Sequence, residues 1–224
     1  MTLNAKAVVF DLDGTLLDTY RLIFDAFNHA WAQQGITLSD QEIEARFGPP
    51  EPELIQGVMG EAWRQGLARF HEYYQENHGR LIKLAPYWQE VLSCIKHQGY
   101  RLGLFTGKGQ TATEITLSQT GLAGYFDSVL TGTEVNHPKP NPEGLIISAR
   151  RFGIKPEDLI YVGDTWVDVE AAHSVGAKIA LSTLYHKPDE KGLRLKPDWV
   201  LRSLEDLHSW ARELPPVGGK QEIS

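Results

Sequence analysis

Asp11 and Asp13 stand two residues apart in the string Asp11-Leu12-Asp13-Gly14-Thr15, directly after the apolar run Ala7 to Phe10. If strand geometry persists to Asp13, both carboxylates project to one side, and Gly14 lets the chain turn sharply just beyond them. Two carboxylates this close repel and shift each other's titration unless a cation or a shared proton relieves them. A nucleophile beside an acid/base, bridged by a metal, would use that arrangement. The plain structural alternative is a strand-end loop whose aspartates serve turn chemistry.

Three more strings follow in order: Thr106-Gly107-Lys108, Lys139-Pro140, and Gly163-Asp164-Thr165-Trp166-Val167-Asp168. Thr106 and Gly107 offer a hydroxyl and a backbone N–H near a helix amino terminus, which suits a phosphate oxygen. Asp164 and Asp168 offer the hard oxygen donors that Mg²⁺ takes. Helix capping by Thr165 or Asp168 would account for one of these two acids, but not for both. Lys139 sits on a segment stiffened by Pro138 and Pro140. Taken alone it reads as a solvated surface charge, and in the company of the other strings as a site cation. The stretch Gly103 to Gly109 fails the P-loop pattern, because only three residues separate Gly103 from Gly107 and Gly109 stands where Ser or Thr must follow the lysine. No H-E-x-x-H and no G-x-S-x-G occurs, so a zinc hydrolase or a serine-hydrolase elbow has no support.

The elements that must position these strings can be read from periodicity. Apolar runs at Lys6 to Phe10, Arg101 to Phe105 and Leu159 to Val162 predict buried strands ahead of the first, second and fourth strings. Ser128 to Leu130, Ala177 to Leu181 and Trp199 to Leu201 predict three more. Helices are expected from Pro86 to His97, from Gln110 to Gln119, and through Arg151 after Asn141 as cap and Pro142 as first helical residue. This alternation implies a parallel sheet, whose carboxyl-end loops converge on one crevice. Between Tyr20 and Leu84 the pattern is helical. Leu22, Ile23, Ala26, Phe27, Ala30 and Trp31 recur at helical spacing, Gly35 closes that helix, and Ser39 to Glu42 reads as the cap of another. Further helices are expected from Pro52 to Met59 and from Glu61 to Asn77, with a break at Asn77-His78-Gly79. The expectation is an α/β, doubly wound parallel-sheet core over residues 1–18 and 85–214, with an inserted all-helical cap at 19–84. The tail from Pro215 to Ser224, with paired prolines and glycines, is expected to be disordered.

Bulk composition narrows the class. The 224 residues are 42% hydrophobic and 23% charged, with a net charge of −7 and no dense basic run, which argues against a nucleic-acid footprint. The single cysteine, Cys94, excludes an intramolecular disulfide and lies in a helical apolar pattern. No signal-peptide stretch precedes Asp11 and no apolar run is long enough to span a bilayer. A cytoplasmic protein is expected, with no nucleic-acid or membrane partner, as a monomer or homodimer.

With these strings in place, the sequence resembles the haloacid dehalogenase superfamily, most closely its phosphoglycolate phosphatase-like branch. Asp11 to Thr19 match the first motif of that family, Thr106 the second, Lys139 the third, and Gly163-Asp164-Thr165 with Asp168 the fourth. The resemblance covers nearly the whole chain, the helical cap included. It implies that Asp11 takes the phosphoryl group as an aspartyl-phosphate and that Asp13 acts as acid and then base. It implies that Thr106, Gly107 and Lys139 hold phosphoryl oxygens. Mg²⁺ would sit among Asp11, the backbone carbonyl of Asp13, and Asp164, with Asp168 supporting it. Asp13 distinguishes the chain from the dehalogenases, which lack the second aspartate. Lys83 at the hinge is the only lysine between Leu17 and Leu84, so the cap lysine of phosphonate-cleaving relatives has no counterpart. Ile23 stands where sugar phosphomutases carry a histidine, and Glu51 where their cap loop offers an arginine. The implied reaction is hydrolysis of a small-molecule phosphate monoester, phosphoglycolate first, with pyrophosphate and sugar phosphates behind. A non-catalytic phospho-ligand-binding protein is the alternative from another class. The loop Arg46 to Glu51 is the candidate for leaving-group contact, through Arg46 and Glu51.

Overall fold

The computed structural model describes residues 4–82, 84, 87–187 and 190–218. Six strands form one parallel sheet: β1 (Ala7–Phe10), β2 (Arg101–Phe105), β3 (Ser128–Leu130), β4 (Leu159–Gly163), β5 (Lys178–Ser182) and β6 (Trp199–Leu201), in the spatial order β3-β2-β1-β4-β5-β6. The strands are near-continuous apolar runs because both faces of the sheet are covered. Val8 and Phe10 point into one core with Leu102, Leu104, Ile160 and Val162. Ala7 and Val9 point into the other with Tyr161, Ile179 and Leu181, as the two-residue period of a strand requires.

The second half of the chain supplies α5 (Tyr87–His97), α6 (Gln110–Thr120), α7 (Glu143–Phe152), α8 (Trp166–Ser174), α9 (Glu190–Arg194) and α10 (Leu204–Glu213). Between β1 and α5, the regular elements of the described residues are helical: α1 (Tyr20–Trp31), α2 (Asp40–Glu44), α3 (Glu51–Met59) and α4 (Trp63–Leu81), with two short 3₁₀ turns. Phe27 of α1 packs on Phe70 of α4 at 4.8 Å between ring centroids, and Ser39 caps α2 in a reciprocal box with Glu42. This helical layer lies over the carboxyl end of the sheet and closes a cleft against it. No helix of the described residues is long and apolar enough to cross a membrane.

Three local expectations change. α4 does not break at Asn77-His78-Gly79 but runs on to Leu81. There the Asn77 amide bonds back to the Tyr73 carbonyl and His78 is buried, so tertiary packing overrides the weak helix propensity of these residues. α7 starts at Glu143, one residue later than predicted, with Asn141 Oδ1 accepting from the Glu143 N–H at 3.0 Å. The start of the tail is tied to the core rather than loose. Tyr100 donates its hydroxyl to the Pro215 carbonyl at 2.8 Å, and Val217 donates its N–H to the Gln98 carbonyl at 2.8 Å. Residues 219–224, together with Lys83 and Pro86, lie outside the described residues.

Candidate active site

β1 pairs with β2 on one side and β4 on the other, although β4 follows β2 by more than fifty residues. The strand order therefore reverses at β1, and the crevice beyond its carboxyl end is where such sheets bind ligands. Asp11 leaves β1 there, its N–H held by the Val162 carbonyl at 2.8 Å. Gly14 then turns the chain with φ +78, and a Cβ at this position would stand 2.1 Å from Asp164 Oδ2. Glycine is required twice over here, by the left-handed backbone and by the approach of the first string to the fourth.

Asp11, Asp164 and Asp168 bring carboxylate oxygens within 4.8 Å of one another, and all three are buried. Lys139 Nζ reaches in between, 3.0 Å from Asp11 Oδ1 and 2.7 Å from Asp168 Oδ1. Tyr161, inside β4, accepts from the same ammonium at 3.0 Å. Thr165 opens α8 and gives Asp168 Oδ2 its N–H at 3.0 Å and its hydroxyl at 2.8 Å. Asp168 thus serves as both helix cap and lysine partner, so capping and site chemistry are not alternatives at this residue. Thr15 donates to Asp164 Oδ1 at 3.2 Å, and the Tyr20 hydroxyl lies 3.4 Å from Asp164 Oδ2.

The electrostatics separate the three acids. Burial and the neighbouring carboxylates Asp168 and Asp13 push Asp11 up to about 7 against the pull of Lys139. Burial, Asp168 and Asp11 raise Asp164 well above the carboxylate range. Burial also acts on Asp168, but Lys139 and Thr165 outweigh it and hold the group below its ordinary value. Asp11 and Asp164 therefore ionise only at a cost that the protein's own cations do not offset. An all-oxygen donor set in that condition fits a hard divalent cation.

Asp13 is the less buried acid of the first pair. Its Oδ1 accepts from Thr19 and lies 3.2 Å from Lys108 Nζ. Thr106 is buried at the end of β2, its Oγ1 accepting from the Lys108 N–H at 3.1 Å, and Gly107 lines the cleft beside it. Lys108, which the sequence offered only for comparison with a P-loop, is buried against the Tyr74 ring at 4.6 Å. Its neighbours Asp13, Tyr74 and Glu51 hold its charge on, against burial.

The two specificity candidates of the 46–51 loop part company. Arg46 turns back to the Glu42 carbonyl, is exposed, and does not line the cleft. Glu51 is buried in the cleft wall, where it accepts from the Gly109 N–H at 2.6 Å and lies 3.4 Å from His71. Between them Phe47, Gly48 and Pro49 line the cleft; the sequence marked this segment as a whole but singled out Arg46 and Glu51 rather than Phe47. A ring in a loop has no periodic partner in the sequence, and its mate Phe24 lies one helix away, stacked at 6.0 Å. Tyr20, the first residue of α1, and Tyr161, inside β4, were missed as well, because a tyrosine in a helix or strand reads as packing. The cleft has a volume of about 790 Å³.

The family model described as haloacid dehalogenase-like hydrolase matches residues 8–182. A pyrophosphatase PpaX of Bacillus velezensis is 33% identical over 205 residues, covering 91% of this chain and 95% of that protein. Among solved structures, a predicted phosphoglycolate phosphatase from Haemophilus somnus superposes with a TM-score of 0.80 at 26% identity, covering 94% of this chain and 99% of that one. CbbY from Rhodobacter sphaeroides, solved in complex with phosphate, shares the fold with a TM-score of 0.78 at 22% identity over 91% of this chain and 96% of that one.

Proposed function

The chain belongs to the haloacid dehalogenase-like hydrolases and is a phosphatase, and on that premise we propose that it hydrolyses a small-molecule phosphate monoester through Asp11. The observation that carries this reading is the buried cluster of Asp11, Asp164 and Asp168 around Lys139 at the reversal point of the sheet. The Asp11 carboxylate attacks phosphorus and forms an aspartyl-phosphate while the ester oxygen leaves. Asp13 gives that oxygen its proton and then takes one from the water that attacks the phosphorus, which frees Asp11. The Thr106 hydroxyl, the Gly107 N–H and the Lys139 ammonium hold the transferring oxygens, so charge that develops on them meets donors already in place.

Asp11, Asp164 and the main-chain carbonyl of Asp13 would hold Mg²⁺, with Asp168 keeping Lys139 in register beside them. When bound, the ion supplies neutralisation of the carboxylate and phosphate charge. The helical layer of residues 19–84 acts as a cap on the core of 1–18 and 85–214 and keeps bulk water from the reacting groups.

The test is hydrolysis of a phosphate-ester panel with Mg²⁺ by the wild type and by Asp11→Asn. The variant keeps size and shape but removes the attacking anion, so turnover should fall by at least ~10³-fold. A tenth of wild-type activity remaining would reject Asp11 as nucleophile. Pyrophosphate belongs on the panel as a second reading, because the relative at 33% identity is named for it.

A further inference from the structure

The wall of the cleft that faces the reacting groups is aromatic, and it begins at them. Tyr20, whose hydroxyl lies 3.4 Å from Asp164, packs its ring on Phe24 at 6.0 Å and on Phe47 at 6.4 Å. Phe24 and Phe47 stack with only 13° between their planes. The His186 ring, also in the lining, meets Tyr20 edge-on at 4.4 Å. Ile23, Phe27, Leu54 and Phe70 continue the apolar lining inward. Phe47 remains 39% exposed at the mouth, a large ring partly in water with a stacked partner on one side only.

Charge in the same space points the same way. Beyond Lys139, the described cations lining the cleft are Lys108 and Lys187. Lys108 is already paired with Asp13 and flanked by Glu51, and Glu44 also lines the cleft. Two ammonium groups therefore face three carboxylates. The helical layer brings no arginine or lysine of its own into the described lining, and the one arginine of the 46–51 loop turns away to Glu42. A leaving group that carried a carboxylate or a second phosphate would be desolvated against aromatic rings and acids, with the exposed Lys187 as the described lysine of the lining left to receive it, since Lys108 and Lys139 already hold site carboxylates. An apolar body would instead cover the Phe24–Phe47 stack and remove it from water.

We propose that, among phosphate monoesters, this site selects those whose leaving alcohol is uncharged and carries an aromatic or bulky apolar body, read by Phe24 and Phe47. The proposal rests on the phosphatase reading and names the substrate class of that site. The experiment compares kcat/KM for benzyl phosphate, ethyl phosphate, phosphoglycolate and pyrophosphate with Mg²⁺. Benzyl and ethyl phosphate expel alkoxides of similar basicity, so their ratio reports contact with the ring rather than leaving-group chemistry. Benzyl phosphate should exceed each of the other three by about tenfold or more, as burial of one ring implies. Phe47→Ala should lower the benzyl-to-ethyl ratio by about tenfold. Phe47→Arg should move the preference toward phosphoglycolate, and unfolding curves would verify that both exposed-site variants are folded. A higher kcat/KM for phosphoglycolate or pyrophosphate, or a benzyl-to-ethyl ratio unmoved by Phe47→Ala, would overturn the proposal while leaving the phosphatase reading intact. Hydrolysis of none of the four, or hydrolysis indifferent to Asp11→Asn, would overturn both.

Discussion

Asp13 touches two donors that compete for one oxygen. Thr19 and Lys108 both address its Oδ1, while its side chain keeps partial contact with solvent in the cleft. That setting suits a group that must exchange a proton with a leaving oxygen and then with water, whereas Asp11 is locked against Lys139 and Val162. An aryl ester such as nitrophenyl phosphate needs little protonation to depart, but an alkyl ester needs much. In single-turnover experiments, Asp13→Asn should slow phosphorylation of the enzyme at least ~10-fold more for an alkyl than for an aryl ester, and should slow dephosphorylation with both. Equal losses with normal dephosphorylation would reduce Asp13 to a structural role. The proposed need for a cation also belongs to this scale. Asp11 and Asp164 have too little positive charge around them, so chelation should abolish turnover and Mg²⁺ should restore it. Ca²⁺ should bind but support little turnover, because its looser coordination misplaces the nucleophile. Full activity in excess chelator, with metal shown absent, would contradict this.

Among elements, one contact that ties the helical layer to the core is the start of α3 against the start of α6, beside the Tyr74–Thr116 hydrogen bond between α4 and α6 at 3.0 Å. Glu51 is the first residue of α3, and its carboxylate takes the Gly109 N–H, the residue that caps α6. A Cβ on Gly109 would stand 2.6 Å from Glu51 Oε1, so the glycine makes room for the acid. Glu51→Ala leaves that amide without its partner and Lys108 with one carboxylate fewer. The expected cost is about 1–3 kcal/mol of stability, read as a lower denaturant midpoint, with faster hydrogen exchange at the Gly109 amide. Unchanged exchange there would mean that the contact does not hold the two layers together. Gly14 makes the matching demand on the core side. Gly14→Ala should cost about 1–2 kcal/mol for the left-handed backbone alone and should cut activity more steeply, because Asp164 must move to admit the methyl.

Over the whole molecule, stability and pH are coupled through a buried group of the helical layer. His78 is buried on α4, its Nε2 has no hydrogen-bond partner among the described residues, and Tyr74 lies 5.7 Å away. Burial, aided by the charge of Lys108, lowers its pKa to about 4. In the unfolded chain the imidazole takes up its proton near pH 6.5. Between these two values the unfolded state binds more protons than the folded one, so stability falls as the pH falls. Wild type should therefore lose on the order of 1–2 kcal/mol more than His78→Gln between pH 7 and pH 5, measured by denaturant unfolding at each pH. Parallel losses in the two proteins would show that His78 does not titrate in this way.

The candidate site was legible in the chain because most of its residues sit in short contiguous strings at the ends of apolar runs. A buried strand announces itself locally, and the residues just past its end inherit its place at the crevice. Asp11, Thr106, Asp164 and Asp168 are set by that rule, and Lys139 joins them through the company it keeps. The parallel sheet was legible for the same reason, since helix and strand periods alternate after Pro86. What only the tertiary structure decided is which side chains from distant segments meet in the cleft. Glu51 meets Gly109 across 58 residues, Tyr20 meets Asp164 across 144, and Phe47 rather than Arg46 lines the cleft. Such pairings follow from how the helical layer packs onto the sheet. Packing depends on shape and burial summed over many residues, and no local period in the sequence encodes it.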